Sequence, residues 1–139
     1  MTVETEVTAP EINRPEVVAE LTDLFHRYEA ALLASDTVVL DAMFLEGPET
    51  LRYGVADTQY GSDALRAYRA GQAPFTRTLM ETRITTYGTD YGIASTLFIR
   101  DDLPDEIGRQ MQTWLRTPEG WRIVAAHVSS VPAARMTDR

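Results

Sequence analysis

The chain has 139 residues, a net charge of −8 and 44 % hydrophobic residues, which suits one domain with its own core. The negative charge opposes nucleic-acid binding, and no apolar run is long enough for a membrane span. There is no cysteine, so disulfides, thiolate metal sites and cysteine nucleophiles are excluded.

The opening residues are polar and acidic, unlike a secretory signal, and the absence of cysteine fits a reducing cytoplasm. Residues 1–12 read as a flexible tail, 13–130 as a single domain and 131–139 as a second tail. The run "NRPE" resembles a capping box, with Asn13 as cap, Pro15 in the first turn and Glu16 three residues on. Val17, Leu21, Leu24, Phe25, Tyr28 and Leu32 then follow at helical spacing. Tyr28 therefore belongs on or beside the buried stripe, and His26 beside it on the exposed side. The helix should end near Ser35, with Asp36 capping a short second helix.

After "GPE", the segments "TLRYG" and "DTQYG" read as short paired strands. Ser62 or Asp63 should cap a third helix, Ala64 to Ala70, and Gly71 should stop it. From Thr76 onward the chain is rich in Thr, Ile and Tyr and alternates in polarity, which predicts four long strands. The last two are joined by "PEG", a hairpin signal. Helices early and strands late define an α+β fold, with a curved antiparallel sheet wrapped on three helices and a pocket between the first helix and the sheet.

The usual catalytic signatures are missing: HExxH, the phosphate-binding glycine loop and GxSxG. Two histidines are too few for a histidine-rich metal centre. Asp101, Asp102, Asp105 and Glu106 lack the spacing of an EF-hand and read as a solvated loop. Any chemistry must come from Tyr, Arg, Asp, Glu, Gln, Ser and His placed by the fold, and Tyr28 and Arg52 come first among them. An arginine fork pairs with a carboxylate through two bonds, and a tyrosine hydroxyl can donate a proton or orient water. The same residues also admit a structural reading. Tyr28 can be a core residue, and Arg52 can pair with Glu29 or Glu49.

Strand parity sorts the rest. Gln112 and Trp114 share one face, where Trp114 packs in the core or forms an apolar wall. Arg109 has the opposite parity. His127 shares one face with Trp121, Ile123, Ala125 and Ser129, while Val124, Ala126 and Val128 take the other. Tyr53 has the parity opposite to Arg52 and reads as structural.

The closing segment "GRQMQTWLRTPEGWRIVAAHVSS" resembles the last hairpin of the nuclear-transport-factor-2-like, or SnoaL-like, superfamily, including the calcium/calmodulin kinase association domain. Together with "INRPEVV", "YEAAL" and "LRYG", it is similar to the AtzH/HpxZ-like family over roughly residues 11–130. That resemblance implies a metal-free, cofactor-free amidohydrolase-type enzyme of nitrogen catabolism. It would act on a carboxylated urea such as 1,3-dicarboxyurea to give allophanate, alongside amidases of oxalurate or cyanuric acid breakdown. It places the catalytic tyrosine and arginine on Tyr28 and Arg52. It also suggests Arg69 as a second clamp. The family often carries a further basic residue just after it, where this chain has Gln72. The hairpin likeness makes the Val124, Ala126 and Val128 face the pocket side, with His127 on the outer face. Gln112 falls where the kinase association domain carries a pocket arginine, which implies a hydrogen bond from Gln112 to a urea. A homodimer, a functional link to an amidase, and a non-catalytic binding or oligomerisation role are the other expectations the likeness carries.

Overall fold

The computed structural model describes residues 6–137. Three helices, α1 (Pro15–Leu33), α2 (Thr37–Met43) and α3 (Ser62–Ala70), pack on one face of a curved six-stranded sheet. The strands are β1 (Leu51–Tyr53), β2 (Thr58–Tyr60), β3 (Arg77–Tyr87), β4 (Tyr91–Arg100), β5 (Glu106–Thr117) and β6 (Gly120–Pro132). Their order is β2-β1-β6-β5-β4-β3. The four long strands form an antiparallel meander. β1 joins β6 in parallel, a mixed pairing that the short "LRY" run did not reveal.

α1 buries Val17, Leu21, Phe25, Tyr28 and Ala31, the stripe its spacing predicts. Its start differs from the capping-box expectation. Arg14 is the N-cap residue and makes no side-chain cap bond. Asn13, at φ 60°, pairs instead with β3, donating its N–H to Thr86 O and accepting from Thr86 N at Oδ1, both at 2.9 Å. A short amide side chain tolerates this left-handed backbone and completes a strand edge. Ile12 bridges Tyr87, so ordered pairing begins before residue 13. Of the expected tails, 1–12 and 131–139, residues 1–5 and 138–139 lie outside the described residues, and β6 runs to Pro132 with a 3-10 turn at Ala133–Arg135, past the expected boundary at 130.

Asp36 caps α2 by accepting from Val39 N at 3.2 Å, as predicted. α3 starts two residues earlier than expected, with Gly61 rather than Ser62 or Asp63 as N-cap. Ser62 is inside the helix, and its Oγ accepts from Gly47 N at 2.9 Å, tying the helix to the preceding loop.

The core occupies one end of the sheet. Leu21, Phe25, Trp114, Trp121, Ile123 and Ala94 pack there with little or no exposure. One irregularity decides which side chains join it. Thr113 pairs with Ala125, but Trp114 pairs with Ile123, leaving Val124 as an extra residue on β6. Such a bulge inverts parity beyond it. Trp121 and Ile123 therefore turn inward, against the expectation that they share the outer face with His127. Ala126 and Val128 face inward, and His127 outward, as parity predicted.

Candidate functional site

At the other end of the sheet the layers part around a cavity of about 620 Å³. Two helices, the β1–β2 hairpin and the four long strands contribute. Tyr28 and Leu32 come from the C-terminal half of α1, and Tyr68 and Arg69 from α3. Arg52 and Asp57 come from the β1–β2 hairpin. Arg77, Phe98, Arg100, Gly108, Gln110 and Val128 come from the sheet. This size suits a small organic ligand.

The sequence contains 13 basic residues, and every one is arginine. Four of them line the cavity, and each is held by a carboxylate and an aromatic face. Arg77, with 3 % side-chain exposure, donates Nε and Nη2 to Glu29 at 3.0 and 2.7 Å and lies 4.5 Å over Phe98. Arg100 spends the same two donors on Asp102, at 2.9 and 2.8 Å, over Phe75. These two forks are closed.

Arg52 and Arg69 are held differently. Arg52 donates through Nη1 alone, to Asp57 at 2.6 Å and to Gln59 at 3.0 Å, and its guanidinium lies 4.8 Å over Tyr68. Arg69 donates through Nη1 to Asp41 and lies 4.8 Å over Phe44. Among the described residues, neither uses its Nε–Nη2 edge on a protein partner. That edge is the pair of parallel donors that binds a carboxylate in two bonds. Both side chains are mostly buried, at 15 % and 10 % exposure, so the open edges are fixed in place and partly desolvated.

Asp57 is the counterpart of Arg52. Burial alone would raise its pKa. The hydrogen bond from Gln59 and the charge and bond of Arg52 outweigh burial and hold the carboxyl below its ordinary value. Neither Glu29 nor Glu49, the partners considered from sequence, pairs with Arg52. Glu29 belongs to Arg77.

Tyr28 is 8 % exposed, its ring tilted against Phe44 at 6.4 Å. It lines the cavity, and its hydroxyl takes no protein partner among the described residues. The cavity thus combines two open guanidinium edges with an uncommitted phenol.

Gln112 and Trp114 do not reach it. They are 1 % and 0 % exposed, and Trp114 Nε1 donates to Gln112 Oε1 at 3.1 Å. Their parity is correct, but they lie too deep along β5. The same face meets the cavity one step earlier, at Gln110, and two steps earlier, at Gly108. Gly108 is required there because a Cβ would overlap the Phe98 ring. Gln72 lines the cavity and donates to Tyr68 Oη at 3.0 Å.

His26 is exposed. His127 and Arg109 lie on the outer sheet face, and Tyr53 bonds Tyr60 there at 3.0 Å. The acidic loop has partners for three of its carboxylates. Asp102 is on Arg100, Asp101 on Thr76, and Glu106 on Ser130. Among the described residues, no group of three or more His, Asp or Glu side chains is placed to share a metal ion.

Arg77, Arg100, Phe98 and Gln110 were missed in the sequence. The signal was present: each sits at an inward-facing parity position near the end of a long strand, and a glycine at position 108 marks a close approach.

This architecture, a curved sheet with three helices and a cavity at its open end, is that of the nuclear-transport-factor-2-like, cystatin-like α+β cone. Within it, the chain belongs to the AtzH-like family, whose model matches residues 10–134. No curated protein matches the sequence significantly. A protein of unknown function from Pectobacterium atrosepticum is 48 % identical, covering 86 % of this chain and 94 % of its own, with a TM-score of 0.84. A cystatin-like fold protein from Burkholderia xenovorans is 45 % identical over 88 % and 98 %, with a TM-score of 0.85. A nuclear-transport-factor-2-like superfamily protein from Salmonella enterica is 24 % identical over 89 % and 96 %, with a TM-score of 0.69, a likeness of fold alone.

Proposed function

We propose that this protein is an enzyme that cleaves a small carboxylated urea, of the type of 1,3-dicarboxyurea, to allophanate in its cavity. One observation carries the reading. Arg52 and Arg69 are each oriented through Nη1 and keep the carboxylate-binding edge free, in a cavity shared with the uncommitted Tyr28 hydroxyl. A ligand with two carboxylates fits two such edges.

Atom balance defines the step. Converting 1,3-dicarboxyurea to allophanate removes one carboxyl group and keeps both nitrogens. The bond that breaks is therefore nitrogen to carboxyl carbon, and no ammonia is released. Its electron pair stays on nitrogen, which takes a proton, and the carbon leaves as CO2, which water converts to bicarbonate. Tyr28 Oη is the proton donor in this scheme, and water restores the phenol. Arg69 holds the carboxylate that remains, so the substrate is fixed while the other end reacts.

The test is to supply freshly generated 1,3-dicarboxyurea and follow allophanate and bicarbonate. Turnover above the spontaneous rate supports the enzyme. Binding without turnover would assign the cavity to a non-catalytic accessory protein of an amidase system.

A further inference from the structure

Gln110 is 5 % exposed and lines the cavity. Its Oε1 accepts from Arg77 Nη2 at 3.0 Å. Arginine can only donate, so this bond fixes which end of the amide faces Arg77. The other end, Nε2, carries two N–H donors and has no protein acceptor among the described residues. Buried donors left without acceptors cost free energy. Methionine or leucine would pack there without that cost.

The arrangement is not an accident of a loose side chain. Glu29 clamps Arg77 through two bonds, and Arg77 in turn orients Gln110. Three elements, α1, β3 and β5, converge to hold one amide. Its position relative to Arg52 follows from the sheet. Arg52 pairs with Ala126 on β6, and Gln110 pairs with Val128 on the same strand, one inward step further along. Two strand spacings, roughly 10 Å, separate the β1 and β5 backbones. That gap is within the combined reach of an arginine side chain and a short ligand.

We infer that Gln110 is a specificity-determining residue whose amide N–H binds the central carbonyl oxygen of a ligand anchored by its carboxylates on Arg52 and Arg69. The inference rests on the reading of the cavity as a site for carboxylated ureas. Gln110 lines the cavity, its Nε2 is buried, and the terminal torsion of glutamine is soft. A small rotation presents an N–H while Oε1 stays on Arg77. The site then reads three features in a row: carboxylate, carbonyl, carboxylate. A site that spends a buried donor on a carbonyl disfavours the analogue lacking it, because the donor is then left unpaired.

Two probes isolate this term, with 3-oxoglutarate, a β-keto acid that loses CO2 on standing, used freshly prepared and its integrity checked after titration. 3-Oxoglutarate has a ketone midway between two carboxylates, at the chain length of 1,3-dicarboxyurea. Glutarate is the same dianion with a methylene in its place. Calorimetric titration of the wild type should show 3-oxoglutarate binding about tenfold more tightly than glutarate. Gln110→Met should abolish the preference while leaving the glutarate Kd nearly unchanged. Gln110→Leu also lacks the donor, adds no charge to the anion site and should also abolish the preference, so a folding failure of one variant leaves the other to decide. Equal affinity for both probes in the wild type, no binding of either, or a preference that survives in a folded variant would overturn the inference. Turnover of 1,3-dicarboxyurea is scored separately. If turnover is absent and the probe preference is intact, the catalytic reading fails and the role of Gln110 stands.

Discussion

Arg52 Nη1 lies 2.6 Å from Asp57 Oδ1, and the contact leaves the Nε–Nη2 edge of the guanidinium unspent. The carboxylate acts as an anchor from behind. It fixes the plane of the fork that a ligand would meet. Arg52→Lys keeps the charge but loses the planar pair of donors. Glutarate affinity should fall about tenfold or more, while thermal stability changes little. Titration calorimetry beside thermal unfolding separates the two effects.

Asp57 links the hairpin to pH. Its folded pKa is depressed below the ordinary 3.8, because the bonds and charge from Gln59 and Arg52 outweigh burial. A depressed carboxylate contributes stability that is fully present above the unfolded pKa and is lost as pH falls through the folded value. The loss therefore belongs below about pH 4. Asp57→Asn should flatten that acid limb of the stability curve. A denaturant-unfolding series from pH 6 down to pH 2 on both proteins checks the difference.

Glu29 and Arg77 form a buried pair with two parallel bonds, and their side chains are 12 % and 3 % exposed. Removing one partner leaves the other charge buried. Glu29→Ala should cost about 3–5 kcal/mol. Glu29→Ala combined with Arg77→Met should recover part of that loss, because no orphaned charge remains. Urea denaturation of the single and double variants measures the recovery.

Gly108 has no room for a side chain, because Phe98 occupies the space. Gly108→Ala should destabilise by about 1–3 kcal/mol through overpacking, and it should also displace the Phe98 wall of the cavity. The thermal midpoint and the glutarate Kd should both worsen. Trp114→Ala offers the contrast. Trp114 is fully buried away from the cavity, so its loss should cost about 3–5 kcal/mol while glutarate affinity in the folded fraction stays close to wild type.

Much of this molecule was legible in its sequence. The α1 stripe, the Asp36 cap and the four-strand meander follow from spacing and turn chemistry. Tyr28, Arg52 and Arg69 line one cavity, as the resemblance placed them, although their roles there are still a proposal. The failures have physical causes. Parity showed that Gln112 faces inward but could not show how far along β5 the core stops and the cavity begins. The Val124 bulge, invisible in an alternating pattern, turned Trp121 and Ile123 inward. Asn13 looked like a helix cap because the same short amide side chain that caps helices also completes strand edges. Arg77 and Arg100 carried no motif. Arg77 owes its place to a long-range partner, and no local spacing records that Glu29 will meet it across 48 positions.

The most direct test of the account is turnover of freshly generated 1,3-dicarboxyurea by the wild type, Tyr28→Phe and Arg52→Lys, followed as allophanate and bicarbonate. The account predicts turnover in the wild type and a loss of about a hundredfold or more in Tyr28→Phe, with its fold and glutarate binding retained. Wild-type release no faster than the spontaneous rate, or a Tyr28→Phe variant as active as the wild type, would contradict it.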